Sequence, residues 1–372
     1  MSRKAVVAGH ICIDITPKIP EQASRKINEI LVPGRLINVL DADIHTGGAV
    51  ANTGLAMKLL GADVMLAGKI GDDVFGDMVL SITDRYGASQ GLVRSRDDST
   101  SYSVVLAVPG ADRIFLHNPG ANDTFCADDI PMDAIKDAAL FHFGYPPLMK
   151  RIYENDGSEL VKIMQKVRKA GAATSLDLAA VDPDTEAGRA DWELILKKSL
   201  PYVDIFVPSI EELLFMIDRD KYDRLRADNP DSDLIGAIEQ ERDIEPLGRK
   251  CIEMGAKIVL IKCGARGMYY CTNDIYDLMR ISDRLSIDPK AWANRKGFER
   301  SYMPERVLSG TGAGDVSVAA FLTSIMNGNS PEDCVRYAAA TGACCVEAYD
   351  ALSGIKSFAE IDKKISSGWS KV

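Results

Sequence analysis

The run Ser309-Gly310-Thr311-Gly312-Ala313-Gly314-Asp315 stands immediately before an apolar, helix-patterned stretch, VSVAAFLTSIM. Glycines at a helix N-terminus let backbone N–H groups turn toward an anion, and the helix dipole adds to the attraction. A phosphate is the ordinary guest of such a site. Asp315 is the awkward member, because its carboxylate repels a second negative charge. One reading makes it a general base, taking a proton from a hydroxyl that attacks a phosphoryl group held by the neighbouring amides. The other makes it a helix cap, a role Asp fills without any substrate. The motif alone leaves both open.

A second cluster, His45-Thr46-Gly47-Gly48-Ala49-Val50-Ala51-Asn52, leads into another helical pattern and is followed by Gly61 and by GKIGDDVFG over 68–76. Paired glycines allow a small ligand close to the backbone, and the Asn52 amide offers a donor and an acceptor to a polyol. By itself a Gly-Gly pair also serves as a plain loop-to-helix junction. Two better-known phosphate motifs fail. The nearest approach to a Walker A loop, ending Gly68-Lys69-Ile70, has the wrong spacing and no hydroxyl for magnesium. The dinucleotide fingerprint needs a preceding buried strand, and ERSYMPERVLS is not one.

These residues need a frame to bring them together. Val6 to Ile15 is expected as one buried strand, followed by a helix over 49–60, a strand over 63–67 and a helix over 74–86. SYSVVLAV and RIFLH flank Pro109-Gly110-Ala111-Asp112, which supplies turn chemistry for a hairpin. From Ala139 short apolar strands (ALFHFG, AATSLDL, VDIFVP, KIVLIKCG, GMYYCT) alternate with amphipathic helices near 157–170, 190–199 and from Ser209. The chain then closes with Ala-rich helices over 315–327 and 331–347. That alternation indicates an α/β protein with a mostly parallel sheet covered on both faces. Residues 18–45, with a possible strand LINVL, and the hairpin at 101–117 stand outside the alternation. The polar stretches 219–245 and 274–306 are expected as solvated surface insertions on a single domain.

The chain has 372 residues, 46% hydrophobic and 26% charged, with 44 basic against 54 acidic side chains and a net charge of −10. Disordered, collagenous and disulfide-scaffold classes drop out. The acidic balance argues against a nucleic-acid partner. No run approaches the roughly 18 apolar residues of a spanning helix, so no membrane role is expected. Eight scattered cysteines without a Cys-x-x-Cys pair point to reduced thiols and a cytoplasmic location. The four histidines show no metal-ligand spacing.

Gly47-Gly48-x3-Asn52, Leu60-Gly61 and Gly71-Asp72-Asp73-x-Phe75-Gly76 near one end, with Gly312-Ala313-Gly314-Asp315 near the other, together resemble the ribokinase-like (PfkB) carbohydrate kinases. The resemblance runs from Val6 to about Gly354. It implies a three-layer α/β/α sandwich with a small β lid, formed here by about 16–45 and 100–118. It implies that Asp14, Gly47, Gly48 and Asn52 grip the sugar, with Asn122 in PGAN nearby. The amides of Gly312, Ala313 and Gly314 become the anion hole and Asp315 the catalytic base. Lys262, Gly264 and Gly267 in IVLIKCGARG become the nucleotide side. Glu212 organises magnesium through water, with Ser209 standing where the family has Asn. The implied activity is ATP- and Mg2+-dependent phosphorylation of a hydroxymethyl group on a small sugar, as in ribokinases and fructokinases.

Two departures bear on this. Ser209 keeps an oxygen but loses the reach of an amide, and Ser309-Gly310 replaces the Asp-Thr that helps some members bind a monovalent cation, so potassium activation is not carried over. A nucleoside kinase is the alternative within the fold, with Tyr102, Phe115 or Tyr145 as a stacking ring; a non-catalytic sugar- or nucleotide-binding homologue is the alternative outside catalysis. Tyr145, after the strand ALFHFG, stands at the carboxyl edge where parallel sheets bind ligands, and either flanks the sugar or packs before Pro146-Pro147. An exposed lid edge favours a homodimer.

Overall fold

The stretch expected as one strand from Val6 to Ile15 is broken in two in the computed structural model, which describes residues 4–20, 33–107, 114–229 and 234–372. β1 (Lys4–Gly9) lies in the large sheet, and β2 (Cys12–Pro17) starts the small one. Gly9 makes the break: its φ is 121°, and a Cβ there would lie 2.2 Å from the Gly144 carbonyl oxygen. Asp14 therefore belongs to the lid sheet and does not end the first strand.

The small sheet has the order β3-β2-β6-β7, with β3 at Ala42–Gly47, β6 at Tyr102–Leu106 and β7 at Ile114–Asn118. The 109–112 turn lies outside the described residues. The LINVL segment forms no strand, and Leu36 and Leu40 are exposed.

The large sheet runs β13-β12-β11-β10-β9-β8-β1-β4-β5, taking in β4 (Asp63–Gly71), β5 (Gly91–Ser95), β8 (Ala138–Gly144), β9 (Ala173–Leu176), β10 (Ile205–Phe206) and β11 (Ile258–Lys262). From β5 to β11 every pairing is parallel. β12 (Gly267–Thr272) and β13 (Lys296–Arg300) add an antiparallel edge. Alternation splits the sheet's side chains between two cores. Val6 and Ala8 join Phe141, Phe206 and Leu213 on one face. Ala5 and Val7 join Val316, Phe321 and Val335 on the other. Helices Ala313–Met326 and Pro331–Cys345 cover that second face.

Both polar stretches are docked over part of their length, while helix Arg219–Asp228 buries no residue, as a solvated segment would. In 219–245, Leu234, Ile238, Asp243 and Ile244 are buried. The Asp243 carboxylate accepts from the Glu239 amide at 2.7 Å and from Arg242, and it pairs with Lys221. In 274–306, Leu278, Ile281, Leu285 and Trp292 are buried, and β13 completes the sheet. A few apolar anchors spaced among many charges suffice to dock such segments, and charge density hides them in the sequence.

Candidate active site

The carboxyl ends of β1, β8, β9, β10 and β11 meet the N-terminus of helix Ala313–Met326. Gly312 precedes that helix with φ 75°, and a Cβ there would sit 2.3 Å from that of Ala351, so only glycine fits the approach. The first turn then points Asp315 inward, 3% exposed. Its Oδ2 accepts from Asn52 Nδ2 at 2.9 Å, and the Tyr145 hydroxyl donates within 2.7 Å of Oδ1 and 2.8 Å of Oδ2. Burial pushes the Asp315 carboxyl above the usual carboxylate range; Asn52, Tyr145 and the charge of Lys262 pull the other way without cancelling it. Burial, with the Asp315 charge beside it, pushes the Tyr145 phenol well up, so it remains a donor.

On the lid side the glycines have visible work. A Cβ on Gly47 would lie 2.1 Å from Asp14 Oδ2, so the bare backbone makes room for that carboxylate. Gly48 has φ 83°, and a Cβ there would meet His10 Nδ1 and the His10 carbonyl at 2.5 Å. The His10 ring lies 5.2 Å from that of His117 and 6.2 Å from that of Tyr145. Both His10 ring nitrogens are buried without a partner among the described residues. Burial, then the neighbouring His117, pushes His10 down to about 3, so it is neutral at physiological pH.

On the other side lies a cavity of about 510 Å3, within the ordinary range of small-molecule sites. Its lining combines Gly312, Gly314, Asp315, Lys262 and Glu212 with the apolar Leu178, Val181, Phe215, Met216, Tyr222 and Ile235. Lys262 Nζ pairs with Asp177 at 2.6 and 2.8 Å, and Asp177 is fully buried. Burial raises the Asp177 carboxyl against the pull of Lys262, and Glu212 and Asp315 add to the rise. Burial works against the Lys262 charge, yet Asp177, Glu212 and Asp315 outweigh it and push the ammonium up. Ser209 and Glu212 form a capping box: the Ser209 amide donates to Glu212 Oε2 at 2.6 Å, and Ser209 Oγ accepts from the Glu212 amide at 3.3 Å.

The model of the pfkB family of carbohydrate kinases matches residues 2–357. The chain belongs to this family. Among curated PfkB relatives, it is 25% identical over 303 residues to an uncharacterized sugar kinase of Archaeoglobus fulgidus, covering 81% of this chain and 98% of that one. It is 25% identical over 336 residues to an Arabidopsis thaliana ribokinase, covering 88% and 74%. The Arabidopsis thaliana ribokinase solved with ribose and ATP superposes with a TM-score of 0.70 at 20% identity, over 98% of each chain. The Xylella fastidiosa fructokinase solved with ATP gives 0.69 at 21%, over 99% of each chain. The fold is ribokinase-like, and the chain is a sugar kinase of the PfkB type.

The structure joins Asn52 to Asp315 by a hydrogen bond, with Gly312 and Gly314 flanking Ala313 at that helix entrance, and sets Gly47 against Asp14 at the entrance of the helix that carries Asn52. The Ala313 amide donates to the Gly310 carbonyl at 3.3 Å and closes a turn. Lys262, Gly264, Ser209 and Glu212 line the cavity. Three expected site residues are used structurally. Asn122 is fully buried and clamps the β1–β2 junction, accepting from the Ile11 amide at 3.1 Å and donating to the Ile11 carbonyl at 3.0 Å and that of Pro119 at 3.2 Å. Gly267 serves the sheet edge, since a Cβ there would lie 2.0 Å from the Glu299 carbonyl oxygen. Ser209 spends its hydroxyl on the helix cap. Of the three stacking candidates, Tyr102 rests against Phe75 at 5.3 Å, Phe115 is 54% exposed on the face of β7 that it shares with His117, and Tyr145 reaches Asp315. The sequence reading missed Asp177 and His10. Asp177 had a usable signal: it stands next to last in AATSLDL, just past the carboxyl end of a parallel strand, as Tyr145 follows ALFHFG.

Proposed function

We propose that the chain phosphorylates a hydroxymethyl group of a small sugar with ATP as donor and Asp315 as general base. The observation that carries this reading is the place of Asp315. It is a buried carboxylate at a glycine-led helix N-terminus, held by two neutral donors between the lid-side glycines and the cavity. Deprotonating an alcohol needs a base within hydrogen-bond reach, and a carboxyl raised by burial is nearer the working pH than an ordinary one.

The cavity suits a magnesium nucleotide. Glycine backbone and Lys262 line it together with apolar side chains. Relatives of the fold solved with ATP, and an Escherichia coli ribokinase II candidate solved with ATP and Mg2+, support the same occupant. Bound there, Mg·ATP supplies the phosphoryl group and the charge neutralisation. Gly312 and Gly314 would present the helix N-terminus to the transferring group, the Ala313 amide being engaged by the Gly310 carbonyl, with Lys262 a cation beside it and Glu212 a carboxylate toward magnesium through water. Asp14 and Asn52 orient the sugar, and Asp315 takes the proton. Closure of the lid sheet over the sugar excludes water.

The test is to offer ATP, Mg2+ and a panel of pentoses, hexoses and nucleosides to wild type and Asp315→Asn. Sugar turnover with a kcat loss of about 10²–10⁴ in the variant, with no loss of melting temperature, is expected from removing a general base. No turnover by wild type, or full activity in the variant, overturns the reading. Ile114, Phe115 and Leu116 are exposed on edge strand β7, and we place a second copy of the chain there. A monomer in sedimentation at micromolar concentration would exclude that dimer. All eight cysteines are free thiols, which supports a reducing, cytoplasmic setting. None of the described helices is long and apolar enough to cross a membrane.

A further inference from the structure

We propose that Tyr145 is a positioning residue whose hydroxyl holds, in the sugar-free enzyme, the seat on Asp315 that the acceptor's reacting hydroxyl later takes. This rests on Asp315 being the base proposed above. The phenolic oxygen is almost equidistant from the two carboxylate oxygens, at 2.7 and 2.8 Å. It therefore lies in the notch between them, on the side where a carboxylate accepts a proton best. A hydroxyl poised for deprotonation must come within about 2.6–3.2 Å of the same oxygens. Asn52 already occupies one flank of Oδ2. The phenol and the acceptor hydroxyl compete for what remains.

The occupant suits a placeholder. A phenol so buried beside a carboxylate keeps its proton, so it donates to Asp315 without reacting. Its backbone is held at φ 67°, a left-handed conformation uncommon for a bulky residue, between Gly144 and the Pro146-Pro147 pair. Strain of this kind persists where surrounding structure over-determines it, and it clusters at working sites. Beside the ring stands neutral His10, with both nitrogens unpartnered among the described residues, an acceptor toward which a displaced phenol can turn.

The consequence concerns water. Without sugar, a water seated in the notch would pass its proton to Asp315 while its oxygen bonds to the γ-phosphorus of ATP. The bond from that phosphorus to the bridging oxygen would break and ADP would leave. Tyr145 fills the notch and suppresses this hydrolysis until a sugar hydroxyl replaces it.

The test uses the full chain with D-ribose and D-fructose as probes. In Tyr145→Phe, the sugar Kd measured by calorimetry without nucleotide falls about two- to tenfold, the range one ordinary hydrogen bond is worth. ATP hydrolysis without sugar rises by a similar factor, and the rise vanishes when Asp315→Asn is added. Tyr145→Asn, which suits the left-handed backbone and removes the phenol, is the second variant and changes both quantities in the same directions. A purely structural tyrosine would instead weaken sugar binding and lower hydrolysis together. That result, or no change in either variant, overturns the assignment. If wild type phosphorylates no sugar at all, the function proposed above fails; if it does and the variants behave like wild type, only the role of Tyr145 falls.

Discussion

The two sides of the Asp315 site bury carboxylates by different means. On the lid side, Asp315 is held by neutral donors, Asn52 and Tyr145, at 2.7–2.9 Å. On the cavity side, Asp177 is held by a cation, Lys262, at 2.6 and 2.8 Å. Burial raises both carboxyls, Asp177 to about 7, and neutral donors fix Asp315 without tying it to a second charge. A cation ties up the charge and makes each partner depend on the other. The difference separates a carboxylate fixed by neutral donors alone from a pair whose lysine is held charged by its neighbours.

Breaking the charged pair has the largest expected effect. Lys262→Met leaves Asp177 buried and unpaired, and a loss of about 3–5 kcal/mol of stability is expected at pH 8 from chemical denaturation. The loss shrinks toward pH 5, because the unpaired carboxyl, raised by burial, escapes by taking a proton. Adding Asp177→Leu recovers most of the stability. An equal loss at both pH values would mean that charge burial is not its cause.

The neutral side responds through pH. Burial raises Asp315, so the acid limb of kcat lies above the ordinary carboxylate value of about 4. Tyr145→Phe removes a donor to the ionised form and moves the limb higher. The stability sign follows. A carboxyl raised in the folded state contributes stability below its unfolded value, and that contribution is lost as pH rises through the folded value. Asp315→Asn should therefore gain melting temperature relative to wild type at pH 8 and not at pH 4. An acid limb at or below pH 4 would contradict the account of Asp315.

The smallest effect sharpens the boundary between cap and ligand. Ser209→Ala removes half of the capping box and is expected to cost about 1 kcal/mol with the KM for ATP unchanged. A severalfold rise in that KM would return Ser209 to the nucleotide side.

Much of this was legible without coordinates. Parallel strands reading as apolar runs, with glycines announcing helix N-termini, gave away the layered fold, and the two glycine signatures marked both halves of the site. Errors arose where one stretch served two sheets, as at Gly9, or where a few apolar anchors hid among charges, as at Leu234 and Trp292. Asn122 and Ser209 had the right chemistry for ligands and were spent on backbone.

By itself the sequence determined where backbone must come close to something, because glycine at a helix entrance is a local requirement of space and φ. It also determined that Asp315 would stand in the first turn of a buried helix, because a glycine entrance and apolar periodicity are local too, although its carboxylate caps nothing there. Only the tertiary structure decided what each charge meets. Tyr145 reaches Asp315 across 170 residues of chain, and Lys262 reaches Asp177 across 85. Partners so distant are chosen by the order in which strands assemble, and that order depends on packing of the whole sheet.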